Sequence, residues 1–176
     1  MNRRRFIIGT IFITSILSAC TADRGLEGDY RIYLDAKEEH DPVNEFQASM
    51  SDLFGETSAG YGEAVERFEE AEEKVDEAIG ASEDLSFETN EVKEINQYYL
   101  ERLYQSRSIL EMFEEDLDMV LTEGIPEDFL ESFDIMIQQA NQYDAMRVNA
   151  ELEYDLRDED DITPEEEELM DRYLNE

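Results

Sequence analysis

From Val92 to Val120 an apolar side chain returns every third or fourth residue. The positions are Val92, Ile95, Tyr99, Leu103, Leu110, Phe113, Leu117 and Val120, with Ser106 at the one polar step. Only the 3.6-residue period of an α-helix puts all of them on one face. A single helix cannot shield such a stripe from water, so it must pack against other helices. Asn90 to Leu121 therefore reads as one long helix, with its stripe spanning about 44 Å at the helical rise.

The rest of the chain repeats that pattern. Asp41-Pro42 is a helix start, with Asp as N-cap and Pro in the first turn, where its missing N–H costs nothing. Val43, Phe46, Met50 and Leu53 follow at helical spacing, and Gly55, Gly60 and Gly62 interrupt. Tyr61, Val65, Phe68, Val75 and Ile79 then continue in nearly the same phase. Residues 42–80 are thus either two helices or one bent helix, and Gly80 is the expected stop. Ser82 to Thr89 reads as a connection. Gly124 ends the long helix and Pro126 opens the next. That helix carries Phe129, Phe133, Met136, Ala140, Tyr143, Ala150 and Tyr154 on one stripe, with Arg147 as its polar intruder. Thr163-Pro164-Glu165-Glu166 is a capping box, and Leu169, Met170 and Tyr173 give the last helix a small apolar face. Asp29 to His40 fits either a strand or a helix, and a helix is the reading adopted. The expected fold is all-α, an antiparallel helical bundle of three long helices plus shorter terminal helices, in one domain over 29–176.

Charge sets the solvent this fold must tolerate. The chain has 48 acidic residues against 14 basic ones, a net −34. Self-repulsion of that size opposes compaction in dilute buffer. At molar salt the Debye length falls to about 3 Å and most of it is screened. A chain this acidic could instead be disordered, but nine Phe, nine Tyr and 41% hydrophobic residues supply a core. The acid-rich, lysine-poor composition (Lys37, Lys74 and Lys93 only) resembles that of secreted proteins of extreme halophiles. Nucleic acid is excluded as a partner, because no basic patch exists to neutralise phosphates.

The leader gives the address. Arg3, Arg4 and Arg5 precede a 12-residue apolar run, Phe6 to Leu17. That order is a secretory signal, because a membrane-spanning helix needs about 20 apolar residues. Leu17-Ser18-Ala19-Cys20 resembles the lipobox of prokaryotic lipoproteins. The resemblance covers about the first 20 residues and implies cleavage before Cys20, whose thiol then carries a lipid. Two acyl chains suffice for stable attachment. Asn2-Arg3-Arg4-Arg5-Phe6-Ile7 is similar to the twin-arginine export pattern, with Arg3 and Arg4 as the pair, and general secretory export is the alternative. The division is then signal peptide 1–19, lipidated tether 20–28 and helical domain 29–176. Residues 1–19 hold three arginines and no acid, so the remainder has 11 basic against 48 acidic residues, a net −37. Cys20 is the only cysteine, so no disulfide or thiolate metal site is available.

Candidate chemistry is sparse. Glu69, Glu70, Glu72 and Glu73 read as a solvated face. Carboxylate di-iron bundles need Glu-x-x-His on two helices, and the chain has one histidine, His40, with Lys37 three residues before it. His40 reads as a surface or cap residue. In Asp158-Glu159-Asp160-Asp161, Ile162 and the missing central glycine break the pattern of a calcium loop. Arg147 reads as a salt-bridge partner or as a stem whose guanidinium reaches water, with contact to an anionic ligand as the alternative. The aromatic and Met stripes read as core, and a groove for a partner helix or an apolar ligand would use the same residues. No catalytic, metal or cofactor site is expected. The sequence points to a non-enzymatic lipoprotein on the extracytoplasmic face of the cell membrane, held through Cys20. Its bundle would serve an envelope protein partner or a structural role. The alternative is a tethered binding protein for a cation or small apolar ligand.

Overall fold

The computed structural model describes residues 25–174. Seven α-helices occur among them: α1 (Gly25–His40), α2 (Val43–Leu53), α3 (Tyr61–Glu83), α4 (Asn90–Glu114), α5 (Leu117–Glu123), α6 (Glu127–Glu153) and α7 (Pro164–Leu174). A 3-10 turn, Glu159–Asp161, lies between the last two. The fold is the all-α helical bundle that the stripes predict, with α3, α4 and α6 as its three long helices. The expected signal, with Arg3, Arg4 and the lipobox Leu17, Ser18, Ala19 and Cys20, lies outside the described residues. Residues 25–28, at the end of the span read as tether, form the first turn of α1.

Residue pairs fix the helix directions. Tyr104 donates to Glu83 (2.5 Å) and Arg107 pairs with Asp76 (3.4 Å), so α3 and α4 are antiparallel. Tyr154 donates to Glu94 (2.6 Å) and Arg102 pairs with Asp144 (3.4 Å), so α6 is antiparallel to α4 as well. Arg67 meets Asp52 (3.3 Å) across α3 and α2. The Asp29 carboxylate accepts from the Thr89 N–H (2.7 Å) and the Tyr33 ring stands edge-on to Tyr99 at 6.0 Å, which places α1 beside α4 and parallel to it. Together α1 and α2 form one kinked arm, broken at Asp41-Pro42, where the Val43 N–H donates to the Asp41 carboxylate (3.1 Å). The result is an up-down-up-down arrangement of the α1–α2 arm, α3, α4 and α6, with α7 laid on the outside of α6.

The core sits where α4 meets its neighbours. Val92, Ile95, Leu103 and Phe113 from α4 are fully buried, as are Phe68 and Val75 from α3. Each such side chain contributes about 1.5–3 kcal/mol by leaving water.

Of the two readings for residues 42–80, the structure has two helices, separated by residues 54–60, where Gly55 takes a φ of +68°. Two boundaries differ from the sequence reading, each for a local reason. Gly80 does not stop α3, which runs on to Glu83. The helical cost of about 1 kcal/mol for an exposed glycine is outweighed by continued burial of Ala78, Ile79 and Ser82. The long helix expected over 90–121 breaks after Glu114, and α5 resumes at Leu117. Glu114, Glu115 and Asp116 put three like charges in one turn, and α5 beyond them packs on α2, α3 and α4 with Val120 buried. Gly124, at φ +93°, ends α5 as expected.

Candidate functional site

The seam between the α1–α2 arm and α6 is open along much of its length and holds two hollows over α4.

The first is an apolar groove of about 450 Å³. Phe46, Met50 and Phe54 from α2 and the residue after it form one wall, Phe133 and Ile137 from α6 the other, and Ile109 of α4 lies between them. Phe46, Met50 and Phe133 belong to stripes read from the sequence; Phe54, Ile109 and Ile137 lie beside those stripes and complete the groove. The walls stay apart because Ser106 and Ala140 are too small to fill the space between them. At one end the Phe54 ring sits 5.0 Å from that of Phe133, which touches buried Phe113 at 6.2 Å. Phe54 is 38% exposed, so the groove presents a large apolar ring to solvent. At the other end the Arg102–Asp144 pair (3.4 Å) separates the groove from the second hollow.

The second is a polar cleft of about 600 Å³ between α1, the end of α6, the 155–161 turn and α7. Its base is a charge network built on Arg147, which is 5% exposed. Arg147 donates to Glu151 (2.7 Å), one helical turn ahead, and to Asp144 (3.0 Å), one turn back. It also pairs across helices with Glu166 of α7 (3.7 Å). Arg157 forks onto Glu166 at 2.9 and 2.7 Å and reaches Glu151 at 3.4 Å. Its other nitrogen donates to the Asp161 carbonyl (2.7 Å) and so ties down the turn. Glu166 is the N3 glutamate of the capping box read from the sequence: its carboxylate accepts from the Thr163 N–H at 3.0 Å, and the Thr163 hydroxyl accepts from the Glu166 N–H at 3.3 Å. Its burial favours the neutral acid, but the bonds from Arg157 and Thr163 prevail and bring the carboxyl down to about 2.

Above the network stands a tyrosine cluster. Tyr30 and Tyr33 stack at 5.8 Å, and the Lys37 ammonium lies 5.8 Å over the Tyr99 ring. Burial, and then the Glu151 charge, raise the Tyr30 hydroxyl to about 12. Burial likewise raises Tyr33 well above the ordinary tyrosine range. The Lys37 ammonium loses proton affinity to burial first and to the Arg147 charge second. Lys37 makes no ion pair among the described residues, although the chain has more than three acids per base.

Arg147, the residue singled out on the α6 stripe, is an ion-pair partner within α6 and between α6 and α7. Its guanidinium does not reach water. The carboxylates of Asp144, Glu151 and Glu166 occupy the positions an anionic ligand would take. Sequence reasoning missed Glu151, which is 2% exposed, and Arg157. The spacing of Asp144, Arg147 and Glu151, three back and four ahead, was a usable signal for the first. Nothing local announced the second, because its partner lies nine residues away on another helix. Glu69, Glu70 and Glu73 are exposed, as a solvated face requires. Glu72 is half-buried, and its carboxyl is raised by burial first and by Glu114 second. His40 is the last residue of α1. Asp158, Glu159, Asp160 and Asp161 are exposed on the 3-10 turn and its leading residue.

Among the described residues no helix is long and apolar enough to cross a membrane. No group of three or more His, Cys, Asp or Glu side chains there is arranged to hold a metal ion. No protein-family model matches the chain, and neither curated proteins nor solved structures gave a significant match.

Proposed function

We propose that this chain is a non-enzymatic lipoprotein, exported by the twin-arginine route and held at the extracytoplasmic face of the cell membrane through a lipid on Cys20. Its bundle receives an amphipathic helix of an envelope partner in the open seam. The observation that carries the interaction reading is the apolar groove between α2 and α6. Helix-in-groove recognition uses an apolar stripe at helical spacing, and Phe46, Met50, Phe133 and Ile137 offer walls of that kind. The surrounding charge selects the partner. With the leader removed, a chain of net −37 favours a helix whose polar face carries Lys and Arg and repels one that carries acids. In the molar salt that the composition suits, screening reduces electrostatics to contact pairs. Apolar burial, about 1.5–3 kcal/mol per large side chain, must then supply most of the affinity.

Two measurements test the reading. A Cys20→Ser chain should move from the membrane to the soluble fraction of cells, and unchanged membrane retention refutes the anchor. For the groove, a synthetic helix with a leucine stripe and a basic polar face should bind the purified chain by fluorescence anisotropy at molar salt. The same stripe with an acidic face should bind at least tenfold more weakly. Ile137→Glu, at a half-exposed wall position, should abolish binding while leaving helix content intact. Equal binding of both peptides, or none lost in Ile137→Glu, refutes the groove.

A further inference from the structure

We propose that the partner's helix runs on past the groove and seats a large aromatic side chain in a second apolar hollow, between the end of α2, α5 and the start of α6. This rests on the groove as the partner's site. The hollow measures about 340 Å³, and Leu53, Phe54, Val120, Leu121, Ile125 and Leu130 line it. Its only charged lining residue, Asp52, is already held by Arg67 (3.3 Å) and by the Thr57 hydroxyl. Gly55 and Gly124 complete the lining at φ values of +68° and +93°, which favour glycine, so neither sends a side chain into the space.

Two observations join this hollow to the groove. Phe54 lines both. On α6, Leu130, Phe133, Ile137 and Ala140 step by three, four and three, so the helix face that walls the groove continues to the hollow. From Ala140 to Leu130 that face is about 15 Å long, nearly three turns. A helix lying along it fills the groove with apolar residues near i, i+4 and i+7 and needs one more, near i+11, to reach Leu130. Leu130 is 39% exposed, so the hollow's outer edge is open to such a residue. The lining fixes its chemistry. A polar end would lose its water there and gain no partner, whereas an aromatic ring buries about 150–250 Å², and aromatic anchors in pockets dominate interface energies. Glu56 and Glu123, next in sequence to the two glycines, are exposed, so Lys or Arg suits the positions flanking the ring. A second copy of this chain would bring its own acids to that rim and meet like charge.

The test uses the basic leucine-stripe peptide and forms of it one turn longer, ending in tryptophan or in alanine, with the added turn at either terminus. The chain has no tryptophan, so indole emission at molar salt reports on the peptide alone. One tryptophan form should bind the purified full chain at least tenfold more tightly than its alanine counterpart, with its emission shifted to the blue. Leu130→Asp, at an exposed position near the start of α6 where an acid suits the helix dipole, should erase the gain and the shift yet bind the unextended peptide as the parent does. Ile137→Glu should abolish binding of every form. If the unextended peptide binds but tryptophan adds nothing at either end, or the gain survives Leu130→Asp, the hollow is not the anchor site and the groove reading stands without it. If no peptide binds, both fail. N-acetyltryptophanamide binding as tightly as the extended peptide, or self-association without peptide that Leu130→Asp abolishes, gives the hollow to a small ligand or to a second copy and overturns the proposal.

Discussion

Asp29 ties together two parts of the chain sixty residues apart, and its removal should be felt throughout the bundle. Its carboxylate accepts hydrogen bonds from the backbone N–H groups of Glu88 (2.6 Å) and Thr89 (2.7 Å) and from the Thr89 hydroxyl (3.0 Å). These donors stand at the start of α4, where helical N–H groups have no intrahelical partner and the helix dipole favours negative charge. Thr89 makes no side-chain cap of its own, so a residue of α1 takes that role. Hydrogen bonds to a charged group contribute about 1.5–3 kcal/mol each. The Glu88 side of the contact is exposed, where water replaces part of what is lost. Asp29→Ala should therefore cost about 3 kcal/mol, and Asp29→Asn, which keeps one oxygen, about 1–2 kcal/mol. Relief of charge repulsion works the other way, but at molar salt with a Debye length of about 3 Å it recovers only a few tenths of a kcal/mol. For a chain of this size the alanine loss lowers the melting temperature by about 6–12 °C. The assay is thermal unfolding by circular dichroism at fixed molar salt, with Asp35→Ala, on the exposed face of the same helix, as control. If Asp29→Ala and Asp35→Ala melt within 2 °C of each other, the cross-chain cap is refuted.

Three further outcomes follow from the same physics. Arg147→Met leaves Glu151 buried and short of a partner, so it should destabilise by about 3–5 kcal/mol in chemical denaturation. Adding Glu151→Leu should recover most of that loss, and an unrecovered double variant counts against the network. The Glu166 carboxyl titrates near 2 in the folded chain, below the ordinary glutamate value of about 4.3. Its contribution is thus present above that ordinary value and is lost as pH falls towards 2. After discounting for solvent screening it amounts to about 1–2 kcal/mol; the drop in stability between pH 5 and pH 2.5 should be smaller by that amount in Glu166→Gln, and an identical drop speaks against the pair. Dialysis from molar KCl into dilute buffer should reduce helix content as repulsion among 48 acids becomes unscreened, and an unchanged far-UV spectrum refutes the salt dependence.

The fold was legible because stripes at helical spacing dominate the sequence: the stripe from Val92 to Phe113 is buried along α4, as are Phe68, Val75 and Ile79 of α3, while Tyr61 at the start of α3 is 50% exposed. Boundaries were less legible where tertiary contact overrides local preference. Gly80 stays helical because Ile79 and Ser82 beside it are buried, and α4 ends at Glu114 where three acids, Glu114, Glu115 and Asp116, follow one another. The candidate site was legible in part. Arg147 stood out as a charge on an apolar stripe, and the capping glutamate Glu166 was identified for a local role. That these two meet, at 3.7 Å, depends on α7 folding back along α6. Asp29 was invisible as a cap for the same reason. Its partners are set by the packing of α1 beside α4, and no sequence window contains both.

The open seam itself has a cause in the α6 stripe. Along its first half, α6 offers Phe133, Ile137 and Ala140 to the space facing α2, and there a partner could close over it by apolar contact alone. One turn later the stripe changes to Asp144, Arg147 and Glu151, and α1 answers with Lys37 rather than an apolar residue. Closing the space there would strip the remaining water from Lys37 and Asp144, since Arg147 and Glu151 are already buried. The effective penalty is several kcal/mol per ion, which only well-made pairs repay, and Lys37 has no pair to offer. The arm therefore stands off at its α1 end, and the break at Asp41-Pro42 lets α2 continue at its own angle. An apolar groove and a charged cleft in line are the consequence. Replacing Lys37 and Arg147 by apolar residues, together with Asp144 and Glu151, is the change that should let the seam close.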